Sequence, residues 1–115
     1  MHLIGKKLLF NDHSTIGHYC PACDDLHRIA AYKDGEYCFD GNEGKPTLTY
    51  GANFVWGDKE FRQQCKYTIR LGEIRYSSVC THEYAGKTIK LADIPQHIIE
   101  CYEVNLRGAK IKLHA

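Results

Sequence analysis

The run Cys20-Pro21-Ala22-Cys23 sets two thiols two residues apart. Thiolates at this spacing can share one ion: the tight turn between them aims backbone N–H groups at the sulfurs, and the proline fixes part of its geometry. That is half of a tetrahedral zinc site. The other half must come from far along the chain, and the candidates are Cys65, Cys80 and His82. A set of Cys20, Cys23, Cys65 and Cys80 would be doubly negative. Exchanging a later cysteine for His82 lowers the charge to be buried. His18 and His27 flank the motif as reserve ligands or as hydrogen-bond donors to ligands. Cys38 and Cys101 are expected to be apolar packing.

Two other chemistries compete for these residues. Cys-Pro-x-Cys also serves thiol redox chemistry where a helix N-terminus lowers a thiol pKa, and residues 24–33 can be read as that helix. This reading leaves Cys65 and Cys80 unexplained. A hydrolytic zinc needs an open coordination position and a general base, for which Glu83 beside His82 is the candidate. The nucleobase deaminase pattern, HExxH, a P-loop and GxSxG are absent from the sequence. A closed, structural zinc is the preferred expectation, with no catalytic residue assigned.

The compartment bears on the choice. The chain has 115 residues, six cysteines, seven histidines and a formal net charge of +1, which fits one domain over residues 1–115 and no general affinity for polyanions or membranes. Lys6 and Lys7 interrupt the apolar residues near the start, no signal peptide is recognisable, and no run approaches the length of a membrane span. A cytoplasmic location is expected. Thiols there are reduced, so clustered cysteines read as metal ligands rather than disulfides.

The elements that must position these residues are short and punctuated by glycine. The expected class is mainly β, a small α+β domain of zinc-stabilised hairpins with one short C-terminal helix. Leu3 to Phe10 reads as an edge strand and Asn11 to Gly17 as a polar loop. Asp34-Gly35 is a two-residue hairpin turn between runs 27–33 and 36–39. Thr47 to Trp56 reads as a strand broken at Gly51. Cys65 to Val79 is the clearest hairpin, with Tyr67, Ile69, Leu71, Ile74 and Tyr76 alternating against polar residues; it would set Cys65 and Cys80 together at its open end. Thr88 to Leu91 and Ala109 to Leu113 read as strands. Asp93 as N-cap and Pro95 in the first turn predict a helix over 95–103. Charge is uneven, and Lys66, Arg70 and Arg75 in the hairpin are candidate partner-binding residues.

On these residues the chain resembles a family of small phage and prophage proteins carried as a domain of unknown function, some members of which bear the label ammonia monooxygenase. The resemblance spans about His18 to Pro95. It rests on Cys20-Pro21-Ala22-Cys23 followed by His27, on Asp40-Gly41-Asn42 leading to Lys45-Pro46-Thr47, on Cys65, and on Cys80-Thr81-His82 followed by Ala85-Gly86-Lys87-Thr88. It implies Cys20, Cys23, Cys65 and His82 as ligands with Cys80 as substitute. The chain departs from the family at Lys66, where a histidine is usual, and after Thr47, where Ser-Pro-Ser gives way to Leu48-Thr49-Tyr50. Residues 96–115 lie beyond the match, as a possible C-terminal extension.

The resulting expectation is a zinc-binding accessory protein acting as a protein-interaction module on a host or phage component. The alternatives are a zinc-dependent hydrolase of nucleic acid or nucleotides using Glu83, and a nucleic-acid-binding protein. In the last, Lys66, Arg70 and Arg75 would meet phosphates while Tyr67, Tyr76 or Trp56 stack on bases.

Overall fold

The computed structural model describes residues 2–11 and 15–101. Alternating apolar residues and glycine-bearing turns produce ten strands in three antiparallel sheets among them. The first sheet is formed in chain order by β1 (His2–Ile4), β2 (Leu8–Asn11), β3 (Thr15–Cys20) and β4 (Asp25–Ala30). A small hairpin follows, β5 (Tyr32–Lys33) with β6 (Glu36–Tyr37). The second sheet contains β7 (Ala52–Trp56), β8 (Gln63–Arg70), β9 (Glu73–Tyr76) and β10 (Thr88–Lys90), in the order β10-β9-β8-β7. One short helix, α1, covers 96–101. The expected mainly β class is the observed one.

The β8–β9 hairpin follows the two-residue period closely. Cys65, Tyr67, Ile69, Ile74 and Tyr76 are buried, while Lys66, Thr68, Arg70, Glu73 and Arg75 are exposed. Leu71 and Gly72 form its turn at φ 51° and 75°, with Arg70 paired to Glu73. Asp34 and Gly35 form the other predicted two-residue turn, at φ 53° and 81°, with Lys33 opposite Glu36.

The segment around residues 38–49 ties the sheets together. The Thr49 N–H donates to the Cys38 carbonyl, and the Leu48 N–H to that of Ile69. A single hydrophobic core runs through both sheets, including Leu8, Ile16, Cys38, Leu48, Ile69, Ile74 and Leu91.

Several expectations are corrected. Leu3 to Phe10 is a hairpin, turning at Gly5 with φ 61°, rather than one edge strand. The expected polar loop contains the start of β3, whose Ile16, Gly17 and His18 are buried. Residues 25–30 and 32–33 are strand, with Asp24 in a turn and a bend at Ala31, so the helix required by the redox reading does not form there. Asp93 pairs with Lys7 at 3.0 Å, and α1 starts instead from the Pro95 carbonyl, which accepts the Ile98 and Ile99 N–H groups. Cys101 is exposed, not core. The proposed end of the helix and the strand at 109–113 lie outside the described residues.

Leu71 is 60% exposed and holds a left-handed conformation that asparagine adopts more readily. Leu71→Asn should raise stability by about 1 kcal/mol in chemical denaturation; an unchanged or lowered midpoint would show that the turn is not limiting.

Candidate metal centre

The CxxC motif occupies the turn of the β3–β4 hairpin. Cys20 closes β3 opposite Asp25, and Asp24 in the turn has φ 48°. The Tyr19 hydroxyl donates to Asp24 Oδ1 at 2.6 Å and so fixes the turn from its flank. His27 stands two residues into β4, paired with His18. Directly opposed residues share a face of the sheet, so His18, His27 and Cys20 all point toward the second sheet. There the His27 ring stacks on Phe54 of β7, with centroids 4.6 Å apart and planes at 11°. Cys65 reaches the same place from β8.

Cys20, Cys23, His27 and Cys65 each offer a donor atom within 4.8 Å of the other three. Cys20 and Cys65 are fully buried, and their sulfurs are 4.0 Å apart. A zinc tetrahedron with Zn–S bonds of about 2.3 Å has S–S edges of about 3.8 Å. The four residues are therefore close enough to hold a metal ion. His27 Nε2 is buried and makes no hydrogen bond of ordinary geometry among the described residues, although the ring lies close enough to favour the Cys20 thiolate; folded proteins rarely leave such a nitrogen without a partner.

A second group shares Cys65: Cys65, Cys80 and His82 also lie within 4.8 Å of one another. All five sequence-predicted ligands thus gather at one junction, and His27, expected only in reserve, joins them. The bonding of the second group is specific. The Tyr84 N–H donates to His82 Nδ1 at 3.2 Å, so the proton of the neutral ring is on Nε2, which donates to Cys65 Sγ at 3.3 Å. Cys80 Sγ accepts the Lys66 N–H at 3.2 Å and donates to the Lys66 carbonyl at 3.2 Å. Glu83 is exposed and belongs to neither group.

The electrostatics of the three sulfurs are one-sided. The Cys65 thiol beside Cys20 holds Cys20 down to about 3 against the opposing effect of burial, helped by the nearby His27 ring and then by the Tyr76 hydroxyl 3.1 Å away. Burial and then the charge on Cys20 push Cys23 up to about 11. Cys65 is pushed up, first by its hydrogen bond to Cys20 and then by burial. One thiolate is favoured and its neighbours keep their protons. A dication at the centre is the charge that would let all three ionise together.

Of the other predicted residues, Lys66, Arg70 and Arg75 are all exposed, on the far side of the second sheet from this junction. Tyr67 and Tyr76, expected to stack on bases, are 3% and 1% exposed. They are core residues, and that role is overturned. Trp56 remains exposed. No helix among the described residues is long and apolar enough to cross a membrane.

His18 supports the site from beneath. Its Nδ1–H donates to the Tyr19 carbonyl at 3.2 Å, leaving Nε2 to accept the Tyr67 hydroxyl. Burial lowers its pKa from 6.5 to about 4. The sign follows: a histidine depressed in the fold contributes stability that is complete above its unfolded pKa and is lost as pH falls from 6.5 toward 4. The His18 ring should keep the NMR shifts of a neutral imidazole down to pH ~5, and a ring already charged at pH ~6 would contradict this. Tyr67→Phe, which leaves Nε2 unpaired, should cost about 1–3 kcal/mol. No protein-family model, curated protein or solved structure matches this chain, so the centre is read from its own geometry.

Proposed function

We propose that Cys20, Cys23, His27 and Cys65 bind one zinc ion in a closed, structural site, and that the domain so stapled is a protein-interaction module. This is the accessory type that the resemblance to the phage and prophage family implies. The observation that carries the metal reading is the buried His27 Nε2, without a hydrogen bond of ordinary geometry, beside three convergent sulfurs. Three thiolates and one imidazole suit zinc in both softness and number. The six cysteines are all unpaired, as metal binding in a reducing compartment requires.

His82 is assigned a different task from ligation. A ligating Nε2 needs its proton on Nδ1, yet that atom already accepts the Tyr84 N–H. His82 therefore hydrogen-bonds the Cys65 sulfur and holds it in place. Cys80 is occupied by the Lys66 backbone. With four protein donors no position is left for a water nucleophile, which favours the structural reading over hydrolysis using Glu83. Zinc binding of this kind is worth about 10–16 kcal/mol in small zinc peptides, comparable with the roughly 5–15 kcal/mol net stability of a whole domain.

For a protein partner, the supporting surface is the free edge of the second sheet. Among the described residues β7 pairs only with β8, and its Val55 and Trp56 are 49% and 45% exposed. In the adjoining loop Asp58 Oδ1 accepts the Glu60 and Phe61 N–H groups, and the Phe61 side chain is 70% exposed. An unpaired edge with aromatic side chains suits strand addition by another chain.

Purified protein should hold about one zinc per chain, with X-ray absorption showing about three sulfurs and one nitrogen around it. His27→Ala and Cys65→Ser should lose the metal and much of the fold. His82→Ala should keep the stoichiometry while weakening affinity by about 10- to 100-fold. A chain that stays fully stable after chelation would overturn the metal reading. Loss of a specific bound protein on Trp56→Ser with Phe61→Ser is expected of the interaction surface, and capture unaffected by both changes would count against it.

A further inference from the structure

The outer face of the second sheet carries cations that the rest of the fold does not use. In register, Thr68, Arg75 and Thr88 lie side by side across β8, β9 and β10, and Arg70, Glu73 and Lys90 form the next row. Lys66 stands one row to the other side. Successive rows are about 6.8 Å apart and strands about 4.8 Å apart, so Lys66, Arg70 and Lys90 each lie one diagonal step of about 8 Å from Arg75. All four are exposed, and none forms an ion pair with a described residue. Glu73 is the single carboxylate in the set and leaves a local excess of positive charge. A cleft of about 510 Å³ borders the face, with Thr68, Arg70, Arg75 and Thr88 in its lining together with Leu71 and the carboxylate Glu73.

This pattern has the chemistry of phosphate recognition. The central guanidinium is flanked by two threonine hydroxyls, both hydrogen-bond donors, and it is surrounded by further cations at separations close to those between phosphates on one strand. Apart from Leu71 in the β8–β9 turn, the outward positions of β8, β9 and β10 carry no aromatic or large aliphatic side chain, which a protein interface needs at its centre. The same lack removes the stacking platforms used to hold single strands.

We propose that this face binds the sugar–phosphate backbone of nucleic acid without reading bases, with Arg75 at its centre and Lys66, Arg70 and Lys90 around it. These side chains project from the face of β8 and β9 opposite to Cys65, so side-chain substitutions there test this surface separately from the proposed zinc site. Fluorescence anisotropy with labelled 20-base-pair duplex DNA, duplex RNA and single-stranded DNA is the experiment. If the four cations each neutralise a phosphate, duplex affinity should fall about 100-fold between 50 and 200 mM salt. Arg75→Gln should reduce the slope of log affinity against log salt by about one, and Lys66→Gln with Arg70→Gln and Arg75→Gln together should abolish binding. Glu73→Gln should tighten it. Zinc content and circular dichroism, which exposed substitutions leave unchanged, separate these effects from unfolding. Binding that ignores salt, persists in the triple variant or is absent at low salt would overturn the proposal. So would single strands preferred over duplex by more than about tenfold, or polyglutamate bound as tightly as DNA, which would identify an acidic protein partner.

Discussion

The two larger sheets meet at a point to which both bring sulfur. Cys20, Cys23 and His27 arrive from the β3–β4 hairpin and Cys65 from β8, with Cys20 and Cys65 fully buried. Three thiols packed so closely cannot all ionise without a cation among them. Much of the surrounding arrangement follows from that constraint. The hydroxyl of Tyr76, the protonated Nε2 of His82 and the His18–Tyr67 pair all place hydrogen-bonding groups beneath or around the sulfurs.

Several of the strands are short and lie outside the buried core. β5 and β6 have two residues each, all exposed, and of the three in β10 only Ile89 packs against the core. A covalently defined point between the sheets, in the proposed zinc site, would set their relative placement more sharply than dispersion contacts can. It would also leave the outward faces free of structural duty. The second sheet then presents two different surfaces: an apolar edge at β7 and a cationic face across β8, β9 and β10.

Local pattern carried far where two-residue periodicity and turn chemistry agreed. The β8–β9 hairpin and the Asp34-Gly35 turn were legible because each strand has one wet and one dry face, so a shift of one residue would bury charge. Reading failed where burial was two-sided or glycine interrupted a run. β3 looked like a polar loop because His18 is a polar residue in the core, made tolerable by Tyr67 and the Tyr19 carbonyl. Leu3 to Phe10 looked like one strand because nothing in apolar content distinguishes a strand from a hairpin folded at Gly5. Cys101 looked like core because helical spacing shows which residues share a face, not whether anything covers it.

By itself the sequence determined the donor types, the CxxC half-site, the mainly β class and the hairpin that brings Cys65 and Cys80 together. These depend on chemistry and on interactions between near neighbours. Only the tertiary structure decided the pairing of that hairpin with the CxxC turn, because the approach of β8 to β3 and β4 depends on how two whole sheets pack. It also gave His27 and His82 different surroundings, on which the proposed ligand choice rests. Both are histidines near the right cysteines, and spacing cannot tell a buried nitrogen without an ordinary hydrogen bond from one whose proton is already committed to a neighbouring sulfur.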